Sequence, residues 1–362
     1  MSRCGNCCGD VVDMTRTTRE RVYAELTLRL LLGGVAAPLS GDVDWDLWQR
    51  LAQHNGVIVR LDERLARARP APPAPFAEAA AREAARARAI YEVMRQVDAA
   101  CVRWRIPHVF LKASRHYPDA GRDVDLLVPR DATRIDALLV SELQATPRRN
   151  GFGDRIAGSS TFQMGGAVAL DVHHGRLGLC GEQRPLADFL LERARPVEVA
   201  GATVSGLSPG DEVLLQGAQL VRGRGSFRMT EPLYTIATVR GDGVEWEELT
   251  GSARRLGLFA GLACYLTYVA RIHEQLFAQA LLPDTVARQL HSRGWGTAEF
   301  RRAAFHFPSV AVSARVYLGQ LGVDVAAGRW ESVRRLSLLP LVGAAAGLRT
   351  LTRVTSPRPL PR

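Results

Sequence analysis

The fold is predicted best from residues 108 to 128, which read HVFLKASRHYPDAGRDVDLLV. This stretch contains two apolar, β-prone runs, and the second run carries the closely spaced acids Asp123 and Asp125. It also holds Lys112, the only lysine in a chain whose Lys+Arg total is 47. Successive side chains of a strand point to opposite faces, so both acids should project from one face while Val124 is buried.

Two carboxylates on one face of a strand need a nearby cation. At a separation of about 6 Å and an effective dielectric near 20 they repel each other by roughly 3 kcal/mol. The hard carboxylate oxygens suit a divalent ion such as Mg²⁺, which also binds substrate phosphates. The pair Asp123 and Asp125 therefore predicts a metal site, with Mg²⁺ or Mn²⁺ as the ion.

A third acid follows in the stretch AVALDVHH, residues 167 to 174, where Asp171 stands alone in an apolar, alternating run. A buried carboxylate without a partner is costly, and if this strand lies beside the first one, the three acids form one cluster. Two metal ions in such a cluster can clamp an in-line displacement at phosphorus. In this arrangement Asp123 and Asp125 hold the metals, and Asp171 completes the site and helps to deprotonate an acceptor hydroxyl.

Acids at this spacing are a weak signal alone, and residues 41 to 51 (GDVDWDLWQRL) provide a comparison within the chain. Asp42, Asp44 and Asp46 precede apolar residues at helical spacing. We therefore expect them at a helix N-terminus, where side-chain caps and the helix dipole favour acids.

The motifs FLKAS, GRDVDLLV and ALDVHH together resemble the nucleotidyltransferase superfamily, and in particular a bacterial branch of uncharacterised nucleotidyltransferases. The resemblance covers roughly residues 85 to 250. It implies a mixed β-sheet core, an NTP such as ATP as one substrate, and metal-dependent transfer of the NMP to an acceptor. The branch has a Lys-Gly pair after the first strand, where this chain has Ala113. It also places His and Asp at later helical positions that Gln219 and Thr235 occupy here.

Four side chains around the acids are further candidates. Lys112 is interpreted as a point charge on the nucleotide phosphates, against the alternative of a lysine without function. Ser114 begins the next element and can donate its backbone N–H and hydroxyl to the phosphates. Arg122 either neutralises phosphate or pairs with an acid. His173 falls on the face of Asp171, as either a structural residue or a support for the site.

The pattern along the chain predicts an α+β protein with a nucleotidyltransferase-type mixed sheet between helical regions. The aromatics Trp246, Tyr265, Tyr268 and Phe277 should close over the acceptor. The predicted divisions are a cysteine-containing disordered tail at 1–14, a helical region at 15–105 with a proline-rich hinge at 69–75, a catalytic core at 106–205, a helical region at 206–352, and a disordered tail at 353–362.

Composition limits the possible partners. The net charge of +10 invites nucleic-acid binding, but the arginines are spread along the chain and alternate with acids, so this partner is not expected. The cluster Cys4, Cys7 and Cys8 lacks a fourth ligand at suitable spacing, which favours reduced thiols over a zinc site. No signal peptide or membrane span is expected, and the sequence predicts a cytoplasmic protein.

Three hypotheses follow from the sequence. The first is an enzyme that moves an NMP to a hydroxyl-type acceptor on a small molecule, peptide or protein, with natural-product or polysaccharide tailoring as a possible setting by analogy. The second is a catalytically silent relative that binds a nucleotide or a partner. The third, supported by charge alone, is a transferase that processes nucleic acid.

Overall fold

The structure is a computed structural model that describes residues 16–33, 43–66, 71–113, 116–119, 121, 123–132, 134–149, 151–165, 168–220, 226–290, 295, 298–307 and 309–340. The tails predicted at 1–14 and 353–362 and the cluster Cys4, Cys7 and Cys8 lie outside these residues. So do residues 69 and 70 of the predicted hinge.

Four helices precede the sheet. Asp44 caps the second of them by accepting a hydrogen bond from the backbone N–H of Leu47 at 2.9 Å, which confirms the structural role predicted for this acid. Pro73 directly precedes the fourth, since proline is tolerated at the start of a helix but not inside it. The helices are α1 (Arg16–Gly33), α2 (Trp45–His54), α3 (Ile58–Leu65) and α4 (Ala74–Arg103).

A five-stranded mixed sheet follows, in the order β1-β2-β5-β4-β3. The two central strands β2 and β5 are parallel, and the other neighbours are antiparallel. The two apolar runs within residues 108–128 and the run at 167–174, which the sequence predicts as strands, contain β1, β2 and β5. The elements of this part are β1 (Val109–Leu111), β2 (Asp123–Val128), α5 (Arg134–Ser141), β3 (Thr146–Pro147), α6 (Phe152–Ala157), β4 (Ser159–Gln163) and β5 (Ala169–His174).

The remainder is mainly helical, but it contains two small sheets. The strands β6 and β7 form a hairpin, and β8, β10 and β9 form a second sheet in that order. The elements are α7 (Arg184–Glu192), β6 (Arg195–Val199), β7 (Ala202–Gly206), α8 (Pro209–Leu220), β8 (Ser226–Phe227), α9 (Thr230–Arg240), α10 (Trp246–Arg255), α11 (Phe259–Phe277), α12 (Asp284–Leu290), β9 (Glu299–Arg301), β10 (Ala304–His306), α13 (Ser309–Ala326) and α14 (Trp330–Leu336).

The second small sheet differs from the purely helical pattern expected over 206–352. Its strands are two or three residues long, too short to show an alternating pattern in the sequence. Aromatic packing holds them together, because the rings of Phe227 and Phe305 stack with centroids 5.2 Å apart and Phe300 packs edge-on against Phe305.

The two faces of the large sheet belong to two hydrophobic clusters. Val124 and Leu126 pack with the C-terminal half of α4 and with α5. Leu127, on the opposite face, joins the cluster that also unites α1–α3 with the helices after the sheet. The face that carries Asp123 and Asp125 is the face of Leu127, and it is therefore turned toward the C-terminal helical region.

The fold is α+β, as the sequence predicts. No helix in the described part of the chain combines the length and the hydropathy that crossing a bilayer requires.

Candidate active site

The acids are positioned by the register of the two central strands. Asp125 on β2 is the direct neighbour of Asp171 on β5 and of Leu111 on β1. Because paired residues of adjacent strands project to the same face, Asp171 lies on the face of Asp123 and Asp125. The sequence-based expectation that the third acid lies beside the first two is confirmed.

Asp125 is the buried member of the pair, with 12% of its side chain exposed. Lys112 Nζ donates a hydrogen bond to its Oδ2 at 2.6 Å, and His173 Nε2 lies 3.2 Å from its Oδ1. Burial alone raises the pKa of Asp125, but the ammonium of Lys112 and the hydrogen bond from His173 outweigh burial and hold that pKa far below its ordinary value. Asp125 is thus a permanent anion with both oxygens in use.

The residue that makes this contact, Lys112, has a strained backbone. Its φ is +64°, in the left-handed region that non-glycine residues enter at a cost of about 1 kcal/mol. The positive φ falls on Lys112 and not on the next residue, Ala113. Ala113 is buried and does not have a positive φ, so its backbone does not need the conformational freedom of the glycine that the resemblance implies here.

Asp123 begins β2 and is the accessible member of the pair. Partial loss of hydration raises its pKa first, and the negative charges of Asp125 and Asp171 raise it further. Lys112 opposes this shift without cancelling it. The two neighbouring acids therefore have opposite electrostatic properties, since Asp125 is stabilised as an anion and Asp123 carries an uncompensated charge.

Asp171 is half-buried, and its Oδ1 accepts a hydrogen bond from the Thr161 hydroxyl at 2.7 Å. Thr161 is its partner in the antiparallel pairing of β4 and β5. The two histidines that follow diverge as alternation predicts. His173 contacts Asp125, whereas His174 lies on the other face, 3.4 Å from Asp136.

The donor set matches a hard divalent cation in chemistry, because three carboxylates share one face. The carboxylate of Asp123 makes no hydrogen bond to another side chain among the described residues. The arrangement is not closed around an ion, however. Within the described ranges no three acidic, histidine or cysteine side chains are placed to hold one metal, and Lys112 occupies the oxygen of Asp125 that faces it. Each oxygen of Asp125 already has one polar partner, so a metal held by both acids would compete with Lys112 for this carboxylate.

A cavity of about 580 Å³ opens beside the carboxylates. One wall comes from the sheet, its first turn and α4, and it includes Lys112, Asp123 and Asp125. The opposite wall comes from the end of α2, from α8 and from the small sheet. Its side chains are polar or basic apart from one aromatic and one alanine: His54, Gln219, Ser226, Phe227, Arg228, Glu231, Arg302, Ala304 and His306.

The turn between β1 and β2 is fixed by the N-terminal helices. Asp119, fully buried, accepts from the Val59 backbone N–H and from Arg60 Nε, both at 2.7 Å. Tyr91 donates its hydroxyl proton to the Asp119 carbonyl at 2.8 Å. Sequence reasoning missed these residues, because their partners lie far away along the chain.

The other predicted site residues have different outcomes. Ser114 and Arg122 lie outside the described residues, so their assignments stay predictions. Gln219, which stands where the resemblance implies a histidine, lines the cavity. Thr235 is fully buried away from it and hydrogen-bonds Gln216 at 3.1 Å and Tyr265 at 2.6 Å.

The expectation that four aromatics close over an acceptor is wrong. Tyr265 and Tyr268 are buried in the helical core, where their rings pack near Phe227. None of Trp246, Tyr265, Tyr268 and Phe277 lines the cavity. Their apolar rings serve packing on α10 and α11, and the cavity wall comes instead from the small sheet that the sequence did not predict.

The fold and this site define a nucleotidyltransferase-type domain, with an acid-x-acid strand and a third acid on its parallel neighbour. The model of a family described as uncharacterised nucleotidyltransferases matches residues 41–274, and the chain belongs to this family. Membership supports nucleotidyl transfer as the general function, with an NTP as a substrate. A search of curated proteins finds no match.

Proposed function

We propose that this protein transfers the NMP group of an NTP to a hydroxyl-type acceptor in the cavity and releases pyrophosphate. The observation that carries the proposal is the register that aligns Asp125 with Asp171 on one face beside Lys112. Small molecules, peptides and proteins are candidate acceptors, and natural-product or polysaccharide tailoring is a setting suggested by analogy alone.

Each site residue has a role in this proposal. Lys112 binds the triphosphate as a point charge when it leaves Asp125, and Ser114 and Arg122 add phosphate contacts. His173 keeps the carboxylate of Asp125 oriented through its hydrogen bond. One or two divalent ions, Mg²⁺ or Mn²⁺, held by Asp123 and Asp125 and completed by Asp171, would neutralise charge on the phosphates.

The test is to incubate the protein with each NTP, Mg²⁺ or Mn²⁺ and candidate acceptors. Pyrophosphate release is then measured, and mass spectrometry gives the intact mass of the protein and of the acceptor. The Asp123→Ala/Asp125→Ala double variant should lose the signal. Asp46→Ala is a matched control, because Asp46 belongs to the acid run at the start of α2 and is exposed. Wild-type protein no more active than the double variant, without metal-dependent nucleotide binding, would contradict the proposal.

A second candidate is a binding module that keeps the fold without turnover. It is favoured by the ion pair that already occupies Asp125 and by Gln219, which lines the cavity where the resemblance implies a histidine. This candidate predicts nucleotide binding that needs no metal and no pyrophosphate release, whereas the transferase predicts both metal dependence and release.

A further inference from the structure

The cavity wall opposite the carboxylates is basic. Arg228, just before α9, and Arg302, in the turn between β9 and β10, line the cavity that Lys112 and Asp123 line from the sheet side. Glu231 is the one acid that the described residues contribute to this opposite wall. Its Oε2 accepts a hydrogen bond from the backbone N–H of Arg228 at 2.9 Å, so it already serves the backbone at the start of α9. The wall therefore carries two guanidinium charges against a single carboxylate.

Arg302 is accessible to a ligand. The residue is exposed, and no carboxylate in the described part of the chain is paired with its guanidinium. It occupies the first position of the two-residue turn that joins Arg301 to Ala304, and the φ values of Arg302 and Ala303 are +49° and +61°. Such a turn favours Asn-Gly, so the turn itself does not account for an arginine here. Non-glycine residues held in this region are found most often at functional sites.

One buried side chain fixes the two segments that carry these arginines. Asn55, directly after α2, is fully buried. Its Nδ2 donates a hydrogen bond to the carbonyl of Ala303 at 2.9 Å, and its Oδ1 accepts one from the backbone N–H of Met229 at 2.8 Å. Ala303 follows Arg302 in the chain, and Met229 follows Arg228. The backbones of both arginines are therefore held at a set spacing before a ligand binds, which reduces the entropic cost of binding.

A pair of guanidiniums matches a doubly charged oxyanion. Each guanidinium can donate two parallel N–H bonds to the oxygens of a phosphate or a carboxylate. A phosphate monoester carries about 1.5 to 2 negative charges at pH 7, whereas a carboxylate carries one. The charge of Arg228 and Arg302 together therefore fits a phosphate group better than a carboxylate.

The geometry of in-line displacement indicates which substrate supplies this phosphate. The entering hydroxyl and the leaving pyrophosphate lie on opposite sides of the α-phosphorus. In the proposed function, Lys112 binds the triphosphate from the sheet wall, so the leaving group lies on that side. The acceptor then approaches from the wall that carries Arg228 and Arg302. A phosphate group on the acceptor is remote from the reacting hydroxyl, so its binding requires only that both lie in the one cavity.

We infer that Arg228 and Arg302 form an acceptor subsite, and that the acceptor carries a phosphate group in addition to its reacting hydroxyl. This inference rests on the proposed function and narrows its acceptor to phosphorylated molecules. The phosphate group is bound and not transformed, so the subsite contributes recognition and orientation. Arg302 lies beyond residue 274, where the match to the family ends, so part of this recognition is built by a segment outside that match.

The experiment uses two probes, inorganic phosphate and each NTP with Mg²⁺, and measures their Kd by calorimetric titration at constant ionic strength. It compares wild type with Arg228→Gln, Arg302→Gln and the double variant. A hydrogen bond to a charged group is worth about 10-fold or more, so the Kd for phosphate should rise by about that factor in each single variant and further in the double variant. The Kd for the NTP should stay close to that of wild type. The matched control is Arg301→Gln, because Arg301 is exposed and adjoins Arg302 but does not line the cavity.

The outcomes separate the inference from the function beneath it. If phosphate does not bind wild type, or binds all the proteins equally, the wall has no anion subsite, although the transferase stands. If the variants weaken phosphate and NTP by the same factor, the arginines hold the triphosphate and the assignment to the acceptor is wrong. If acetate binds as tightly as phosphate, the phosphate class is wrong. If wild type binds phosphate through the arginines but binds no NTP, the proposed function fails, and the anion site remains without an acceptor role.

Discussion

At the scale of single residues, the neighbouring acids Asp123 and Asp125 should respond oppositely to neutralisation. The pKa of Asp123 is raised, so the folded state binds more protons than the unfolded state and stability falls as the pH rises above about 4. Asp123→Asn removes this penalty. We expect a higher free energy of unfolding than wild type at pH 7 and a loss of at least about 10²-fold in activity. Urea unfolding between pH 4 and 8 measures the first effect, and a lower stability of Asp123→Asn at pH 7 contradicts it.

Asp125→Asn provides the opposite case. The pKa of Asp125 is depressed, so its stabilisation is present above the ordinary value near 4 and is lost as the pH falls below it. Replacing the carboxylate leaves the Lys112 ammonium half-buried without its partner. A loss of about 3 kcal/mol at pH 7 is expected, and it should shrink in acid. Equal losses at pH 7 and pH 3 would show that shape and not charge is responsible.

The ion pair itself can be isolated by a double-mutant cycle with Lys112→Met. Because the ammonium causes much of the loss in Asp125→Asn, the double variant should be more stable than that single variant. The coupling free energy is expected to be about 1–3 kcal/mol. Thermal and urea unfolding of the four proteins give this value, and strict additivity would mean that the contact at 2.6 Å contributes nothing.

At the scale of elements, the close approach of α8 to α11 determines where Gln219 lies in the cavity. A Cβ at Gly217 would lie 2.8 Å from the Leu262 backbone, so Gly217→Ala forces the helices apart and should cost about 1–3 kcal/mol. At Gly210, on the same helix, an added Cβ would meet only the Ser208 hydroxyl, at 3.9 Å. Gly210→Ala is therefore the control, and it should be neutral or stabilise by up to about 1 kcal/mol. Equal effects of the two substitutions on unfolding would contradict this account of the packing.

The elements also show how far the sequence predicts the site. Alternation along β2 was sufficient to place Asp123 and Asp125 on one face, because strand period is a local property. The addition of Asp171 depended on the pairing of β5 with β2, a long-range contact that the resemblance implied and the structure shows. The wall opposite could not be predicted in this way. His306 reaches the cavity through the pairing of β10 with β8, and strands of two or three residues leave no periodic pattern. The aromatics assigned to that wall are of the residue types that also fill a core. The sequence therefore does not distinguish an aromatic that lines a cavity from one that packs in the core.

At the scale of the whole molecule, the cavity joins parts of the chain that the sequence separates into domains. Described residues from both helical regions, predicted at 15–105 and 206–352, share one hydrophobic cluster, in which Leu28 of α1 and Phe305 of β10 both take part. The predicted boundaries stay predictions, but helices on both sides of the five-stranded sheet pack into one cluster. A ligand in the cavity can therefore contact residues as far apart along the chain as His54 and His306.

This shared cavity predicts a pattern of hydrogen exchange on nucleotide binding. A ligand at 100 times its Kd stabilises the folded state by about 2.7 kcal/mol, and the slowing of exchange should concentrate where backbone borders the ligand. With ATP and Mg²⁺ we expect protection at residues 109–113 and 123–125 and also at 226–231 and 302–306, which form the opposite walls. The hairpin of β6 and β7 contributes no side chain to the cavity and should not change. If exchange slows only at residues 109–113 and 123–125, the nucleotide lies away from β10. Residues 226–231 and 302–306 would then have no role in binding it.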